Sequence, residues 1–186
     1  MSEPAKKLAT YEDLYSVPEN MIGEIINGEL IVTPRPAPRH MRAASVLSSM
    51  IGTPYDLGGG GGPGGWIILF ETEVRLGGHT LVPDIAGWRR ERFPKELDFN
   101  WIPVAPDWIC EIFSPSTALR DQTDKMTIYA EFQVKHLWLV DPVHMFIRAY
   151  RLESDQWLPI GVFGGKEKVR LEPFQEVEIS LGDLWL

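Results

Sequence analysis

The chain is poor in the residues that build metal clusters and disulfides, with one cysteine, Cys110, and four histidines among 186 residues. A lone cysteine excludes an internal disulfide framework, and its apolar setting suits a reducing compartment. His79, His136 and His144 share no ligand spacing with one another or with Cys110, which argues against a structural zinc site. Long hydrophobic runs are also missing: none approaches the roughly 20 residues that a membrane helix needs, and no basic-plus-apolar leader opens the chain. A cytoplasmic protein without a membrane partner is expected. No Gly-x-Ser-x-Gly elbow occurs, and Ser114 and Ser116 flank a proline where they serve better as helix caps than as nucleophiles, so acyl transfer is a poor candidate. Positive charge is scarce as well, with 18 Lys and Arg against 26 Asp and Glu and a net charge of −8. Such a chain has no global attraction for phosphate backbones, so any nucleic-acid binding must use a local basic surface. The nearest candidate is Arg89, Arg90, Arg92 and Lys95, interrupted by Glu91 and Glu96 and readable equally as a solvated loop.

What the chain does have is enough apolar residue for one sizeable core, and a single domain over residues 1–186 is expected. Seventeen Gly and fifteen Pro imply many loops, while short β-branched and aromatic runs imply strands. TYEDLYSVPEN reads as a short helix capped by Thr10 and stopped by Pro18. MIGEIINGELIVTP carries Asn27-Gly28 between two apolar runs, a hairpin signal because a tight primed turn requires positive φ. Residues 38–52 show an apolar spacing near that of an amphipathic helix. GGGGGPGG at 58–65 lacks the Gly-Lys-Ser/Thr ending of a phosphate loop and reads as a flexible linker.

WIILFETEVRL, HTLVPDIAGW and DWICEIF then predict three strands, residues 117–132 a helix capped by Ser116 or Thr117, and HLWLVDP a further strand. MFIRAYRLE, WLPIGVF and EVEISL predict an antiparallel C-terminal extension. The order of helix, strands, helix and strand implies an α/β fold with a mixed sheet flanked by helices.

Two carboxylates fall within these apolar strands, Asp84 in LVPDIAGW and Glu111 in WICEIF. On adjacent strands they could converge, and two oxygen ligands with a carbonyl and waters are what Mg²⁺ or Mn²⁺ uses. Pairing with an arginine or with a backbone N–H explains them equally well at this point. Lys125 stands about 12 Å along the helix from Thr117, far enough to aim its ammonium at a site across the sheet. An ordinary surface pair with Asp121 accounts for the same spacing.

VPD at 82–84, APDWICEIFSPST at 105–117, RDQTDKMTIYA at 120–130 and KHLWLVDP at 135–142 together resemble the bacterial Uma-two family of restriction-endonuclease-like proteins, within the PD-(D/E)xK nuclease superfamily. The GEIINGEL hairpin, His40 and the strand before VPD fit as well, so the resemblance spans nearly the whole chain. It implies a restriction-endonuclease-like core and a divalent-metal endonuclease that hydrolyses nucleic-acid phosphodiesters, with DNA the expected substrate. Asp84 and Glu111 would be the catalytic metal ligands for Mg²⁺ or Mn²⁺. Asp107 in APDW is a rival to Asp84, disfavoured because it begins the same strand as Glu111. Where the superfamily has its lysine, two residues after Glu111, this chain has Phe113; Lys125 on the following helix is the implied catalytic replacement. Glu24 and His40 are accessory candidates for the same cleft, and Tyr129 is a packing residue whose hydroxyl would orient Lys125. Glu73 is another acidic candidate, whose alternation with Val74 and Leu76 reads equally well as solvent-facing. A catalytically silent binding or regulatory module on the same fold is the rival reading, supported by the acidic charge. Seven Trp and the apolar C-terminal strands also make a homodimer plausible.

Overall fold

The structure, a computed structural model, describes residues 7–114 and 121–186. A 3-10 helix over Tyr11–Ser16 begins where the Asp13 carboxylate accepts the Thr10 N–H at 2.7 Å, a reciprocal cap of the kind the TYED pattern signals. Strands β1 (Met21–Ile26) and β2 (Glu29–Pro34) form the hairpin. Asn27 and Gly28 turn it at φ 52° and 74°, the left-handed pair that only such residues adopt cheaply. Helix α1 (Pro38–Ile51) opens on a proline, whose missing N–H costs nothing in a first turn.

The next two predicted strands are each broken. WIILFETEVRL divides into β3 (Trp66–Phe70) and β4 (Val74–Leu76), with Glu71 at φ 44° between them. HTLVPDIAGW divides into β5 (His79–Leu81) and β6 (Ile85–Arg89), separated by Val82, Pro83 and Asp84. In both cases the chain crosses from one sheet to another, and the left-handed residue and the proline are what interrupt the ladder. Asp84 therefore precedes its strand instead of lying within it.

Strand β7 (Trp108–Ile112) follows as expected. The first turns of the predicted helix, with the Ser116 and Thr117 caps, lie outside the described residues. Beyond them, a π-helical turn over Asp121–Lys125 leads into α2 (Met126–Glu131). Strands β8 (His136–Asp141), β9 (Phe146–Glu153) and β10 (Gln156–Gly164) complete a six-stranded sheet of order β10-β9-β8-β7-β6-β3. Strands β7 and β8 pair in parallel across the α2 connection, and the other neighbours in this sheet pair antiparallel. A four-stranded sheet has the order β2-β1-β5-β4. EVEISL does not extend the large sheet: its β12 (Ile179–Ser180) pairs only with β11 (Lys168–Val169), and Leu181 and Leu184 beyond it enter the core instead.

The large sheet carries apolar residues on both faces. Trp108, Cys110 and Ile112 of β7 face α1 and the C-terminal segment, packing with Ala43, Leu47 and Phe174. Ile109 and Phe113 face the other way, toward Ile128 and Tyr129 of α2 and Ile26 of the hairpin. Strand alternation puts Glu111 on this second face. Trp66, Trp88, Trp108 and Trp138 are fully buried, each worth about 1.5–3 kcal/mol or more in apolar transfer. The indole N–H groups of Trp88 and Trp138 donate to the carbonyls of Val104 and Glu172, whereas that of Trp108 is buried without a hydrogen-bond acceptor among the described residues.

The glycine-rich stretch is fitted to its surroundings at one end. A Cβ on Gly62 would stand 2.4 Å from the Pro54 backbone, and the Gly64 N–H donates to the Pro54 carbonyl at 2.9 Å. Among the described residues no helix is long and apolar enough to cross a membrane.

Candidate active site

The antiparallel pairing of β6 with β7 sets Ile85 against Cys110, so the residues just outside that pair, Asp84 and Glu111, fall at the same end of the two strands. Asp84 Oδ2 accepts the Ile112 N–H at 2.6 Å, continuing the ladder with a side chain where β6 has not yet begun. Its other oxygen lies 3.0 Å from His40 Nε2, delivered by the first turn of α1. The hairpin contributes Glu24, whose Oε1 accepts the Val82 N–H at 2.8 Å and thereby holds the segment leading to Asp84.

Lys125 closes the arrangement from the helical side. It is only 2% exposed, and its Nζ lies 2.8 Å from Glu111 Oε1 and 3.0 Å from Glu24 Oε1. A solvated surface lysine is thus not what the fold makes of it. Burying three charges is costly unless they satisfy one another, and the ammonium between two carboxylates does so. Tyr129, one helical turn on, donates its hydroxyl to the same Glu111 oxygen at 2.5 Å. The partner of this hydroxyl is therefore Glu111, with Lys125 sharing the oxygen. Burial, and then the adjacent Glu111 charge, hold the phenol protonated well above its ordinary range.

Glu24, His40, Asp84, Glu111 and Lys125 line one cleft of about 160 Å³. Ser114 and Arg35 join them at its rim, the first read from sequence only as a turn residue and the second carrying no signal at all. Among the described residues no three His, Cys, Asp or Glu are gathered into a metal cage. The donors present are nonetheless hard carboxylate oxygens, Glu111 on β7 and Asp84 just before the adjacent β6. That chemistry fits Mg²⁺ or Mn²⁺, ions commonly held by one or two carboxylates with the substrate's own oxygens.

The other acidic candidates lie elsewhere. Asp107 caps the Arg89 N–H at 2.8 Å and pairs with Arg92, at the opposite end of β7 from Glu111. Glu73 accepts the Tyr11 hydroxyl at 2.5 Å, so it is engaged rather than facing solvent. The arginines of the basic loop are likewise engaged internally: Arg90 pairs with Asp56 at 2.9 Å, and the Arg89 guanidinium stacks 4.2 Å from the centre of the Trp66 ring. Cys110 is fully buried on the other face of β7, where burial raises its thiol well above the usual range.

A search of curated proteins finds no match. Among solved structures, the fold matches a crystal structure of "a putative nuclease belonging to DUF820" from Anabaena variabilis, at 25% identity and a TM-score of 0.71, over 95% of this chain and 97% of that one. The family model described as "putative restriction endonuclease" matches residues 8–182, and the chain belongs to this family, Uma2.

Proposed function

We propose that this chain is a divalent-metal-dependent endonuclease that hydrolyses nucleic-acid phosphodiester bonds, with Asp84, Glu111 and Lys125 as its catalytic residues. The observation that carries this reading is the meeting of a helix-borne lysine with a strand-borne glutamate in a cleft that also holds Asp84. Five separate segments converge there, through Glu24, His40, Asp84, Glu111 and Lys125, and a buried cation between carboxylates is an expensive feature for a merely structural role.

Asp84 and Glu111 would hold Mg²⁺ or Mn²⁺, which when bound supplies charge neutralisation on the phosphoryl oxygens and acidifies a coordinated water. His40 fixes one oxygen of Asp84 and the Ile112 N–H the other, so the carboxylate is preset in orientation. Tyr129 fixes Glu111. Lys125, pinned by Glu24 and Glu111, presents a positive charge to the attacking water and to the negative charge that builds on phosphorus oxygens in the transition state. The test is cleavage of labelled DNA and RNA with Mg²⁺ or Mn²⁺ by the wild type, Asp84→Asn, Glu111→Gln and Lys125→Met, each checked for folding by circular dichroism. Loss of cleavage in all three folded variants is expected; full activity in any of them refutes its assignment, and an inactive wild type across substrates favours a silent binding module on the same fold.

A further inference from the structure

The catalytic cleft continues into a second cavity of about 390 Å³, which shares Pro36, His40 and Asp84 with it. Whatever occupies this space is therefore attached to, or directly beside, the group that reacts at Asp84. Its size falls within the range of small-ligand pockets, about 300–1,000 Å³.

The lining is unlike that of the cleft. Phe70, at the end of β3, is 71% exposed, and Met41 on α1 is 55% exposed. Ala44 adds apolar surface, and Ser45 and Ser48 on the same helix add hydroxyls. Phe70 is held outward by the chain itself. The next residue, Glu71, adopts φ 44°, donates its N–H to the Asp84 carbonyl at 3.1 Å and pairs through its carboxylate with Arg35 at 2.9 Å. A non-glycine residue in the left-handed region is maintained only where surrounding contacts enforce it, and here they hold the backbone that carries Phe70 beside the segment of the catalytic aspartate.

The charge of the cavity narrows the occupant. Its described lining includes no Lys or Arg, and its two carboxylates are already engaged, Glu71 by Arg35 and Asp84 by His40, so the cavity offers a neutral group hydrogen-bonding edges in place of a cation dedicated to a phosphate. A flat, uncharged ring with hydrogen-bonding edges, linked to a phosphate by one sugar, matches a lining that combines an aromatic ring with a helix face bearing a thioether and two serine hydroxyls. We infer that this cavity binds an unstacked nucleobase next to the scissile phosphate, with Phe70 as its stacking platform, so that the preferred substrate is unpaired at the cleavage site. The inference rests on the phosphodiesterase reading above. Such a site would suit a chain of net charge −8, because base–aromatic stacking supplies affinity that does not depend on counterion release.

The experiment compares fluorescence anisotropy of a labelled oligo-dT 12-mer and of its oligo-dA duplex with the full chain in Ca²⁺ buffer, alongside Mn²⁺-dependent cleavage of both. Wild type is expected to favour the single strand. Phe70→Ala is expected to weaken single-strand binding about tenfold and erase the preference, and Phe70→Trp to restore it with quenched indole fluorescence. The exposure of Phe70 makes these variants safe for folding. Cleavage by the wild type with equal single-strand affinity in Phe70→Ala overturns the inference and leaves the nuclease reading standing. Neither binding nor cleavage by the wild type overturns both. Self-association abolished by Phe70→Ala assigns the cavity to a second copy of the chain and also overturns it.

Discussion

The Tyr129 hydroxyl donates to Glu111 Oε1 at 2.5 Å, and Lys125 Nζ approaches that same oxygen at 2.8 Å. Both groups come from the helical segment that follows β7, so helix packing and the orientation of the carboxylate are one event. A hydrogen bond to a buried charged group is worth about 1.5–3 kcal/mol. Tyr129→Phe should lower stability by about that amount in urea unfolding and reduce cleavage, because the carboxylate loses a hydrogen bond that orients it. An unchanged unfolding midpoint would show that the hydroxyl contributes nothing.

Lys125→Met should be costlier. It leaves Glu24 and Glu111 facing each other in a buried site without the cation between them, a loss of about 3–5 kcal/mol for a broken buried pair. Adding Glu24→Gln removes one of the two charges, so the double variant should recover part of that stability while remaining inactive. Strict additivity of the two substitutions in chemical denaturation would contradict this coupling.

His136 gives the fold an acid-sensitive point away from the cleft. Burial lowers its pKa below 6.5 and outweighs the attraction of Glu172 at 3.9 Å. With the folded pKa below the unfolded one, the unfolded state binds the proton first as pH falls. The associated stability is present above about pH 6.5 and is lost as pH drops through the folded value. His136→Gln should therefore lose less stability than the wild type between pH 7.5 and pH 5, measured by thermal denaturation. Parallel losses in the two proteins would rule this out.

Two glycines should respond in opposite directions. A Cβ on Gly87 of β6 would lie 3.1 Å from the Trp108 ring and 3.3 Å from that of Trp66, so Gly87→Ala overpacks the core by about 1–3 kcal/mol. Gly52, just past α1, has helical φ and ψ of −62° and −42° and nothing within 4 Å. Gly52→Ala should stabilise by about 0.4–1 kcal/mol by restricting the unfolded chain. Melting temperatures that shift the same way in both variants would contradict this packing account.

Local signals in the sequence translate directly into structure. Asn27-Gly28 turns the hairpin, Thr10 and Asp13 cap the first helix, and the apolar spacing of 38–52 becomes α1, because each depends on neighbours within a few residues. Pro83 signals a bend or strand edge in the sequence, because it cannot donate to the ladder, whereas the break at Glu71 carries no such signal. At both places the choice between two sheets, a long-range matter, decides where the chain leaves one ladder for another. EVEISL misleads for the same reason: its strand-like pattern serves a two-residue ladder and a core contact instead of the large sheet.

The site follows the same division. Glu111 stands out in sequence as a charge in an apolar strand, and adjacency of its strand to that of Asp84 follows from chain order. That Lys125 reaches Glu24 as well as Glu111, that His40 grips Asp84, and that Phe70 stands beside them depend on how the hairpin, α1 and β3 close over one end of the large sheet. No spacing within any one segment encodes that closure.

The measurement that bears most directly on the central claim is calorimetric titration of Mn²⁺ into the wild type, Asp84→Asn and Glu111→Gln. A site built from both carboxylates predicts saturable binding by the wild type that each variant loses; equal binding by all three proteins, or none by the wild type, would contradict a metal centre at Asp84 and Glu111.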